Sequence, residues 1–205
     1  MSIDKKQLSK LLYYFTAFDG GVYYLGKNAR FVMNMRAENE DYFQWVQSTL
    51  ENLTSVIVRP VIQRGNRKPL LSLTSKTHPF LTRIRERLYS FNRKSLEPHI
   101  LTLMDAEALA IIFMTDGGTS VDKRHNTYPE IKLHTKGFSY FDNMALSKAI
   151  YEKTNIRTTV NRHGEYYFLR VKSADVQLFV DTVKPFVLSS FYYKLERLAP
   201  TGVKI

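Results

Sequence analysis

The hydrophobic pattern of this chain contains two apolar segments of helical length, and both end in the same three residues. The first segment runs from Asp4 to Phe18 and is followed by Asp19-Gly20-Gly21. The second runs from Thr102 to Thr115 and is followed by Asp116-Gly117-Gly118. Each pattern predicts a helix that carries an aspartate at its C-terminal end.

Both predicted helices begin with residues that favour N-capping. Asp4 with Gln7, and Thr102 with Asp105, have the spacing of a capping box, in which two side chains satisfy the first free N–H groups of a helix. We therefore expect the helices to start at Asp4 and at about Thr102.

After each Asp-Gly-Gly, the pattern predicts one strand, a helix, two strands and a further helix. In the first half these are a strand Arg30–Arg36, a helix Asp41–Leu53, strands Val56–Gln63 and Leu70–Thr74, and a helix His78–Tyr89. In the second half they are a strand Glu130–Thr135, a helix Tyr140–Lys153, a hairpin Ile156–Val171 turning at His163-Gly164, and a helix from Ser173 past Pro185 to Lys194. The element order is α-β-α-β-β-α, twice.

The repeated order indicates a duplicated α+β fold. Asp19 and Asp116 are 97 positions apart, and Lys94 and Lys194 are 100 positions apart, so distant landmarks keep nearly the same spacing. We expect an N-terminal half at residues 1–94, a linker at 95–100 and a C-terminal half at 101–205. Two related halves usually pack about a pseudo-twofold axis, as the copies in a homodimer do.

Charge narrows the choice of partner. The 205 residues include 30 Lys and Arg against 19 Asp and Glu, a net charge of +11 that suits a polyanion. The absence of cysteine excludes disulfides, thiolate zinc sites and cysteine nucleophiles. The longest apolar run, Ala108–Met114, is too short to cross a bilayer, and Leu11–Phe18 lacks the small-residue cleavage site of a signal peptide. We expect an intracellular protein without a membrane partner.

An aspartate at the C-terminal end of a helix is unfavourable, because that end carries a partial negative charge and unpaired carbonyls. Glycine after it is an ordinary choice, because glycine accepts a left-handed conformation. A carboxylate beside free carbonyl oxygens suits a hard cation such as Mg²⁺ or Ca²⁺. The alternative is that Asp-Gly-Gly is ordinary turn chemistry. Its occurrence at two matched positions favours a metal site.

The segment Leu109–Gly117 resembles the nine-residue LAGLIDADG signature, and through Gly118 it is similar to the "LAxxFMDDGG" form of single-chain, intron-encoded homing endonucleases of the I-SceI type. Leu12–Gly20 fits the same frame, with its acid again in eighth place. Asn92-Arg93-Lys94 and Tyr192-Tyr193-Lys194-Leu195 resemble further basic elements of the family. Two departures stand out: Thr115 replaces a frequent aspartate, and Tyr13-Tyr14 replaces small residues that let the motif helices pack closely.

The resemblance implies two halves with antiparallel, saddle-shaped sheets that enter the DNA major groove, and LAGLIDADG helices at the interface. Asp19 and Asp116 would bind divalent metal, helped by the backbone carbonyls of Phe18 and Thr115. Lys94 and Lys194 would act as basic catalytic residues near the scissile phosphates. Mg²⁺ is the implied cofactor, with Mn²⁺ expected to substitute and Ca²⁺ to bind without supporting cleavage.

Alternation along the predicted strands assigns one face of each sheet to DNA. Arg, Lys, Asn and Gln side chains read base edges in the major groove, whereas basic loop residues clamp phosphates. The proposed sheet residues are Arg30, Asn34, Arg36, Arg59, Gln63, Ser72, Thr74, Lys132, His134, Arg157, Thr159, Asn161, Tyr166 and Arg170. The proposed loop residues are Arg64, Arg67, Lys68, Lys123, Arg124, Arg162 and His163. The alternative interpretation is that these residues are polar only because the solvent-exposed face of an antiparallel sheet is usually polar.

We therefore expect a monomeric, metal-dependent endonuclease that cuts both strands of a long, asymmetric double-stranded DNA site without an obligate protein partner. It would act where its target genome lies, in a bacterial or phage-infected cytoplasm or in an organelle. Two alternatives remain open: a maturase that binds intron RNA, and a DNA-binding regulator that does not cut. Both can dispense with the two aspartates, so their presence favours the nuclease.

Overall fold

The computed structural model of the chain describes residues 3–61, 69–120 and 129–198. The polypeptide divides into two units, Met1–Asn92 and Arg93–Ile205. The predicted α+β class with antiparallel sheets is confirmed. Six residues proposed to contact DNA lie outside the described residues: Gln63, Arg64, Arg67, Lys68, Lys123 and Arg124.

The first unit contains three helices and one four-stranded sheet among its described residues. Its elements are α1 (Lys5–Phe18), β1 (Gly21–Leu25), β2 (Asn28–Arg36), a 3₁₀ turn (Ala37–Asn39), α2 (Glu40–Glu51), β3 (Val56–Val61), β4 (Leu70–Ser75), α3 (Pro79–Leu88) and the two-residue strand β5 (Tyr89–Ser90).

Helix α1 forms where the sequence predicts it. The Asp4 side chain caps the helix by accepting hydrogen bonds from the N–H groups of Lys6 and Gln7, at 3.1 and 3.3 Å. Every residue from Lys10 to Phe18 is buried, so the C-terminal part of the helix is enclosed by protein on all sides.

The sheet of the first unit is antiparallel in the order β1-β2-β4-β3. Phe31, Met33 and Met35 are buried on one face, as the alternation predicts, and Met33 lies opposite the buried Leu73. Helix α3 packs on β1 and β2. The other face carries the polar residues of β2, β3 and β4.

The second unit repeats this construction. Its elements are β6 (Arg93–Lys94), α4 (Pro98–Leu101), α5 (Ala106–Asp116), β7 (Gly117–Ser120), β8 (Glu130–Leu133), α6 (Tyr140–Thr154), β9 (Thr158–His163), β10 (Tyr166–Val171), a 3₁₀ turn (Ser173–Asp175), α7 (Val176–Val183), two more 3₁₀ turns (Lys184–Phe186 and Ser189–Phe191) and α8 (Tyr192–Glu196). Its sheet has the order β7-β8-β10-β9, which matches that of the first unit.

The predicted element order α-β-α-β-β-α omits one strand in each unit. Strands β1 and β7 begin within two residues of Asp19 and Asp116 and pair with β2 and β8. Neither strand has the alternating apolar pattern that identifies a half-buried strand from sequence. In β1, Val22, Tyr23 and Tyr24 favour a strand even without alternation. Strand β7, Gly-Gly-Thr-Ser, has little such preference and forms because β8 supplies its hydrogen-bond partners.

The second apolar helix starts later than predicted. Asp105, not Thr102, is its N-cap, and the Asp105 carboxylate accepts the N–H of Ala108 at 2.9 Å. Thr102 instead ends the short helix α4, which begins at Pro98. The residues expected to form a linker are therefore partly helical.

The predicted last helix is interrupted. Helix α7 ends at Val183, a 3₁₀ turn contains Pro185, and α8 begins only at Tyr192. Proline has no N–H to donate and its ring clashes with the preceding turn, which explains the break.

The segment that enters the second unit is attached to the start of α6. Oδ1 of Asp142 accepts hydrogen bonds from the hydroxyl of Ser95 at 3.0 Å and from the N–H of Leu96 at 2.8 Å. Oδ2 of the same carboxylate accepts from Ser139, which completes a capping box on α6.

Arg157, which alternation assigned to the DNA-reading set, forms an ion pair with Asp175. Its Nε and Nη2 donate to the two oxygens of Asp175, at 2.7 and 2.6 Å, and its backbone N–H donates to Oδ2 at 2.8 Å. These hydrogen bonds lower the pKa of the Asp175 carboxyl from 3.8 to about 2. The pair joins the start of β9 to the turn before α7.

In the parts of the chain that the structure describes, no helix is both long enough and apolar enough to span a bilayer.

We expect Asp175→Asn to lower the free energy of unfolding at neutral pH by about 1–3 kcal/mol, because charge-assisted hydrogen bonds from Arg157 are lost. The pKa of Asp175 is lower in the folded state, so its contribution is complete above pH 3.8 and is lost as the pH falls to about 2. Urea unfolding at several pH values measures both effects.

Asp181→Asn is the matched control, because Asp181 is exposed on α7, where its carboxylate accepts an i,i+4 hydrogen bond from Gln177. Equal stability of the two variants at neutral pH would contradict the assigned role of the Arg157–Asp175 pair.

Candidate nucleic-acid interface and metal-binding aspartates

Asp116 lies at the junction between a buried helix and the first strand of the second sheet. Helix α5 ends at Asp116 and β7 begins at Gly117. The carbonyl oxygen of Asp116 accepts the N–H of His134 at 2.7 Å, which ties the junction to the residue after β8. Asp116 is half-buried as a residue, and its backbone is thereby held at the edge of the second sheet.

Lys194 stabilises the C-terminal end of α5. Its ammonium group donates to the carbonyl oxygens of Phe113, Met114 and Gly117, at 3.1, 2.6 and 2.8 Å. The side chain is buried, with 7% of the residue exposed. A cation at this position satisfies terminal carbonyls and offsets the negative end of the helix dipole. This interaction compensates for an aspartate at an unfavourable position.

Burial lowers the pKa of Lys194 to about 8, while the nearby charge of Asp116 acts in the opposite direction. The ammonium form therefore still predominates at neutral pH. The hydrogen bonds that Lys194 donates to Phe113, Met114 and Gly117 all go to backbone carbonyls.

The glycines after the aspartates avoid steric overlap. Gly117 has an extended backbone with φ of −77°, so the expected left-handed conformation is wrong. A Cβ atom on Gly117 would overlap the carbonyl oxygen of Phe113. In the first unit, a Cβ atom on Gly20 would overlap the ring of Phe31. At Gly117 the overlapping atom belongs to the backbone of α5, whereas at Gly20 a larger residue would require the buried ring of Phe31 to move.

Asp19 has a similar setting in the first unit. It is the C-cap of α1, and its N–H donates to the carbonyl oxygen of Phe15 at 3.2 Å. Strand β1 begins two residues later, where the N–H of Val22 donates to the hydroxyl of Tyr89 at 3.2 Å. Asp19 as a residue is half-buried. The second half-buried aspartate thus also stands between a buried helix and the first strand of a sheet.

The donor chemistry of the two aspartates fits Mg²⁺. This ion prefers oxygen ligands and commonly binds through one or two carboxylates, together with waters and substrate phosphates. Within residues 3–61, 69–120 and 129–198, no group of three or more His, Cys, Asp or Glu side chains is arranged to hold a metal ion. Lys94, the other predicted catalytic lysine, lies in β6 and is half-buried.

The open face of the first sheet carries the described residues that alternation assigned to it. Opposite residues in antiparallel strands share a face, and the register places Asn34 opposite Ser72 and Ser72 opposite Arg59. The Nε atom of Arg30 is buried and has no hydrogen-bond partner among the described residues. The face contains Arg30, Asn34, Arg36, Arg59, Ser72 and Thr74, none of which is fully buried.

The open face of the second sheet has a continuous polar row. Lys132 lies opposite Arg170, which lies opposite Thr159. Asn161 and Tyr166 belong to the same face by alternation along β9 and β10. Neither Asn161 nor Tyr166 is fully buried.

His134 follows β8, where its Nε2 atom lies 2.8 Å from the position that a Cβ atom on Gly118 would occupy. Burial, followed by the charges of Lys136, Lys132 and Lys194, lowers the pKa of its imidazole. The ring is therefore mainly neutral at pH 7 and can donate or accept a hydrogen bond.

Arg162 and His163 are the last residues of β9, not loop residues as predicted. His163 lies opposite Tyr166 on the open face. Arg162 points to the other face by alternation, and its Nε donates to the carbonyl oxygen of Gly164 at 2.8 Å. Arg162 therefore lies on the face of β9 that is opposite to the open face, and its predicted phosphate contact would have to be made from that side.

Sequence reasoning missed Glu130, the acid among these basic side chains. Its carboxylate accepts from Lys132 Nζ and from Arg170 Nε, each at 2.7 Å, and from the Ser120 hydroxyl at 3.2 Å. Burial favours a higher pKa for Glu130, but the hydrogen bond and charge of Lys132 and the charge of Arg170 lower it overall. The available signal was the i,i+2 spacing of Glu130 and Lys132, which places both on one face of a strand.

Comparisons with known proteins concern the fold and the family of the chain. The family model described as "LAGLIDADG DNA endonuclease family" matches residues 20–179. A solved structure of the homing endonuclease I-WcaI bound to its DNA recognition sequence superposes with a TM-score of 0.79 at 17% identity, covering 95% of this chain and 88% of that one. At this identity the superposition shows the fold.

Two curated relatives differ in their described activity. "Probable intron-encoded DNA endonuclease 3" of Mycosarcoma maydis is 28% identical over 98 residues, 48% of this chain and 68% of that protein. "Cytochrome b mRNA maturase bI2" of Debaryomyces hansenii is 22% identical over 178 residues, 83% of this chain and 65% of that protein. The matches thus span about two thirds of the length of each relative.

We expect Lys194→Met to lower the free energy of unfolding by about 2–3 kcal/mol, because buried carbonyls at the end of α5 lose their donor. The measurement is urea unfolding at pH 7.

Lys184→Met is the matched control, since Lys184 is the exposed C-cap residue of α7. We expect it to change stability by less than about 0.5 kcal/mol. A Lys194 variant as stable as this control would show that the three hydrogen bonds do not stabilise the fold.

Proposed function

Because this chain belongs to the LAGLIDADG DNA endonuclease family, we propose that it is a site-specific endonuclease that hydrolyses both strands of DNA with a divalent metal ion. The proposal also makes it a monomer, since one chain contains two units with the same strand order and an aspartate at the same junction in each. An intron-encoded DNA endonuclease among its relatives supports this activity.

The observation that carries the proposal is the junction of an acid with a basic open sheet face in each unit. In the second unit, Asp116 is followed directly by β7, and Gly118 of that strand lies opposite Lys132. A phosphate group bound by Lys132 in the polar row would therefore lie beside β7, the strand that follows Asp116. Carboxylates that hold cations and a surface that holds phosphates are the two requirements of metal-assisted phosphodiester hydrolysis.

In this proposal Asp19 and Asp116 bind Mg²⁺. Mn²⁺ can replace it, whereas Ca²⁺ binds without supporting cleavage. The metal, when bound, supplies Lewis-acid stabilisation of charge on the phosphate and activation of water. Carbonyls of Phe18 and Thr115 are proposed as additional ligands. Lys194 keeps the last turn of α5 fixed, so that the Asp116 carboxylate is pre-positioned. Lys94 is proposed to lie near a scissile phosphate.

The two open faces are proposed to read DNA in the major groove. Arginine and lysine suit guanine, and asparagine suits adenine. The first face offers Arg30, Asn34 and Arg59, while the second offers Lys132 and Arg170. Because the two faces carry different side chains, the preferred DNA site is proposed to be long and asymmetric. The protein would act in the compartment that contains this DNA.

A second candidate function is that of a maturase. The relative from Debaryomyces hansenii is described as a cytochrome b mRNA maturase, and its match covers 83% of this chain. A maturase on this scaffold would bind intron RNA and need no cleavage. A DNA-binding regulator remains the third candidate, with the same open faces and no hydrolysis.

We expect Asp116→Asn to reduce cleavage of a plasmid library in Mg²⁺ by at least 10²-fold while DNA affinity changes little, because the metal needs the carboxylate charge. Asp19→Asn should behave in the same way. Cleavage is followed by linearisation of supercoiled plasmid and binding by mobility shift, and EDTA should abolish only the former.

The exposed Asp181→Asn variant controls for the change in net charge and should cleave like the wild type. Retained cutting by Asp116→Asn would remove this residue from the metal site. A wild-type protein that binds duplex DNA but never nicks the library would support the regulator, and selective binding of intron RNA without nicking would support the maturase.

A further inference from the structure

Glu130 forms a charged cluster on the open face of the second sheet. One carboxylate oxygen accepts from Arg170 and the other accepts from Lys132 and Ser120. The Glu130 side chain is 19% exposed, compared with 34% for Lys132 and 50% for Arg170. The acid therefore lies lower in the cluster, and the two cations extend further into solvent.

The register explains why an acid is needed at this position. Lys132 and Arg170 are directly opposite each other in neighbouring strands. Like charges in that relationship repel. Glu130 is two residues before Lys132 on the same face and contacts both cations, so it compensates for the repulsion. It also limits the rotamers of two long side chains before any ligand binds.

The atoms used in these contacts determine what remains available. Glu130 engages Arg170 through Nε. Guanidinium has five N–H donors, so this contact leaves the terminal amino groups for a second acceptor. Two parallel donors match the O6 and N7 atoms of guanine, which is the commonest specific contact of arginine with DNA. An arginine without such restraint is free to reach a phosphate instead.

We propose that Glu130 is a specificity-determining positioning residue, which holds Arg170 and Lys132 so that they read guanine in a DNA major groove and do not merely clamp phosphates. The inference rests on the proposed DNA-binding function of the sheet. Beyond that function, the inference states that an acidic residue which contacts no base determines the base preference of the second unit.

The test compares the full-length wild type with Glu130→Gln, which keeps the side-chain size and removes the charge. Each protein is used to select from a randomised 30-base-pair duplex library, and the affinity for one fixed unrelated 30-base-pair duplex is measured from 50 to 300 mM KCl. Glu152→Gln is the control, because Glu152 pairs with Lys148 at 3.7 Å on the exposed surface of α6 and makes the same change in net charge.

We expect Glu130→Gln to lose preference for guanine at one or two adjacent positions of the selected site, by at least fivefold, with the other positions unchanged. For the unrelated duplex, the plot of log affinity against log salt should become steeper by about 0.9 for each cation released to a phosphate. Glu152→Gln should keep the wild-type site and slope.

A Glu130→Gln protein that selects the same site with the same slope as the wild type overturns the inference and leaves the proposed function intact. A wild type that enriches no duplex overturns both proposals.

Thermal unfolding determines whether each variant is folded in the assay. If Glu130→Gln is not folded, Glu130→Ser provides the second variant, because it also removes the carboxylate but retains a small polar side chain. The same loss of guanine preference is expected, and an unchanged selected site overturns the inference.

Discussion

The bond between the ammonium of Lys194 and the last turn of α5 is the interaction on which the second unit depends. A buried apolar helix that ends in an acid has two unfavourable features at one point, a negative helix terminus and a carboxylate. One buried cation with three carbonyl partners compensates for both. The fold can therefore present Asp116 at a rigid position, and rigid placement is what a metal-binding carboxylate requires.

The two units reach the same junction through different local contacts. At Gly20, which follows Asp19, a Cβ atom would meet the ring of Phe31, whereas at Gly117, which follows Asp116, it would meet the carbonyl oxygen of Phe113. In both units the following strand is the edge strand of a four-stranded sheet with the same strand order. The shared construction fits descent from one duplicated ancestor, and the different side chains on the two open faces are the basis of the proposed asymmetric DNA site.

Local pattern was sufficient to predict the features that depend on neighbouring residues. Alternation placed Phe31 and Met33 inward and Asn34 outward, and the capping of α1 by Asp4 followed from spacing. It could not predict β7, which has no apolar residue, or the bond from Lys194 to Met114, whose partners are 80 positions apart. The Arg157–Asp175 pair was missed for a different reason. A basic residue at an outward position has the same sequence pattern whether its partner is DNA or a carboxylate of the same chain.

The Asp142 carboxylate has a consequence for protein engineering. It caps α6 and also holds Ser95 and Leu96, so the strand-to-helix passage before α4 is an integral part of the C-terminal half. Chimaeras that recombine halves from different proteins are therefore best joined near Asn92 and Arg93, with everything downstream kept from one parent. A fusion joined between Leu96 and Pro98 would separate α6 from the residues that complete its first turn, even though the proline makes that point look like a natural break.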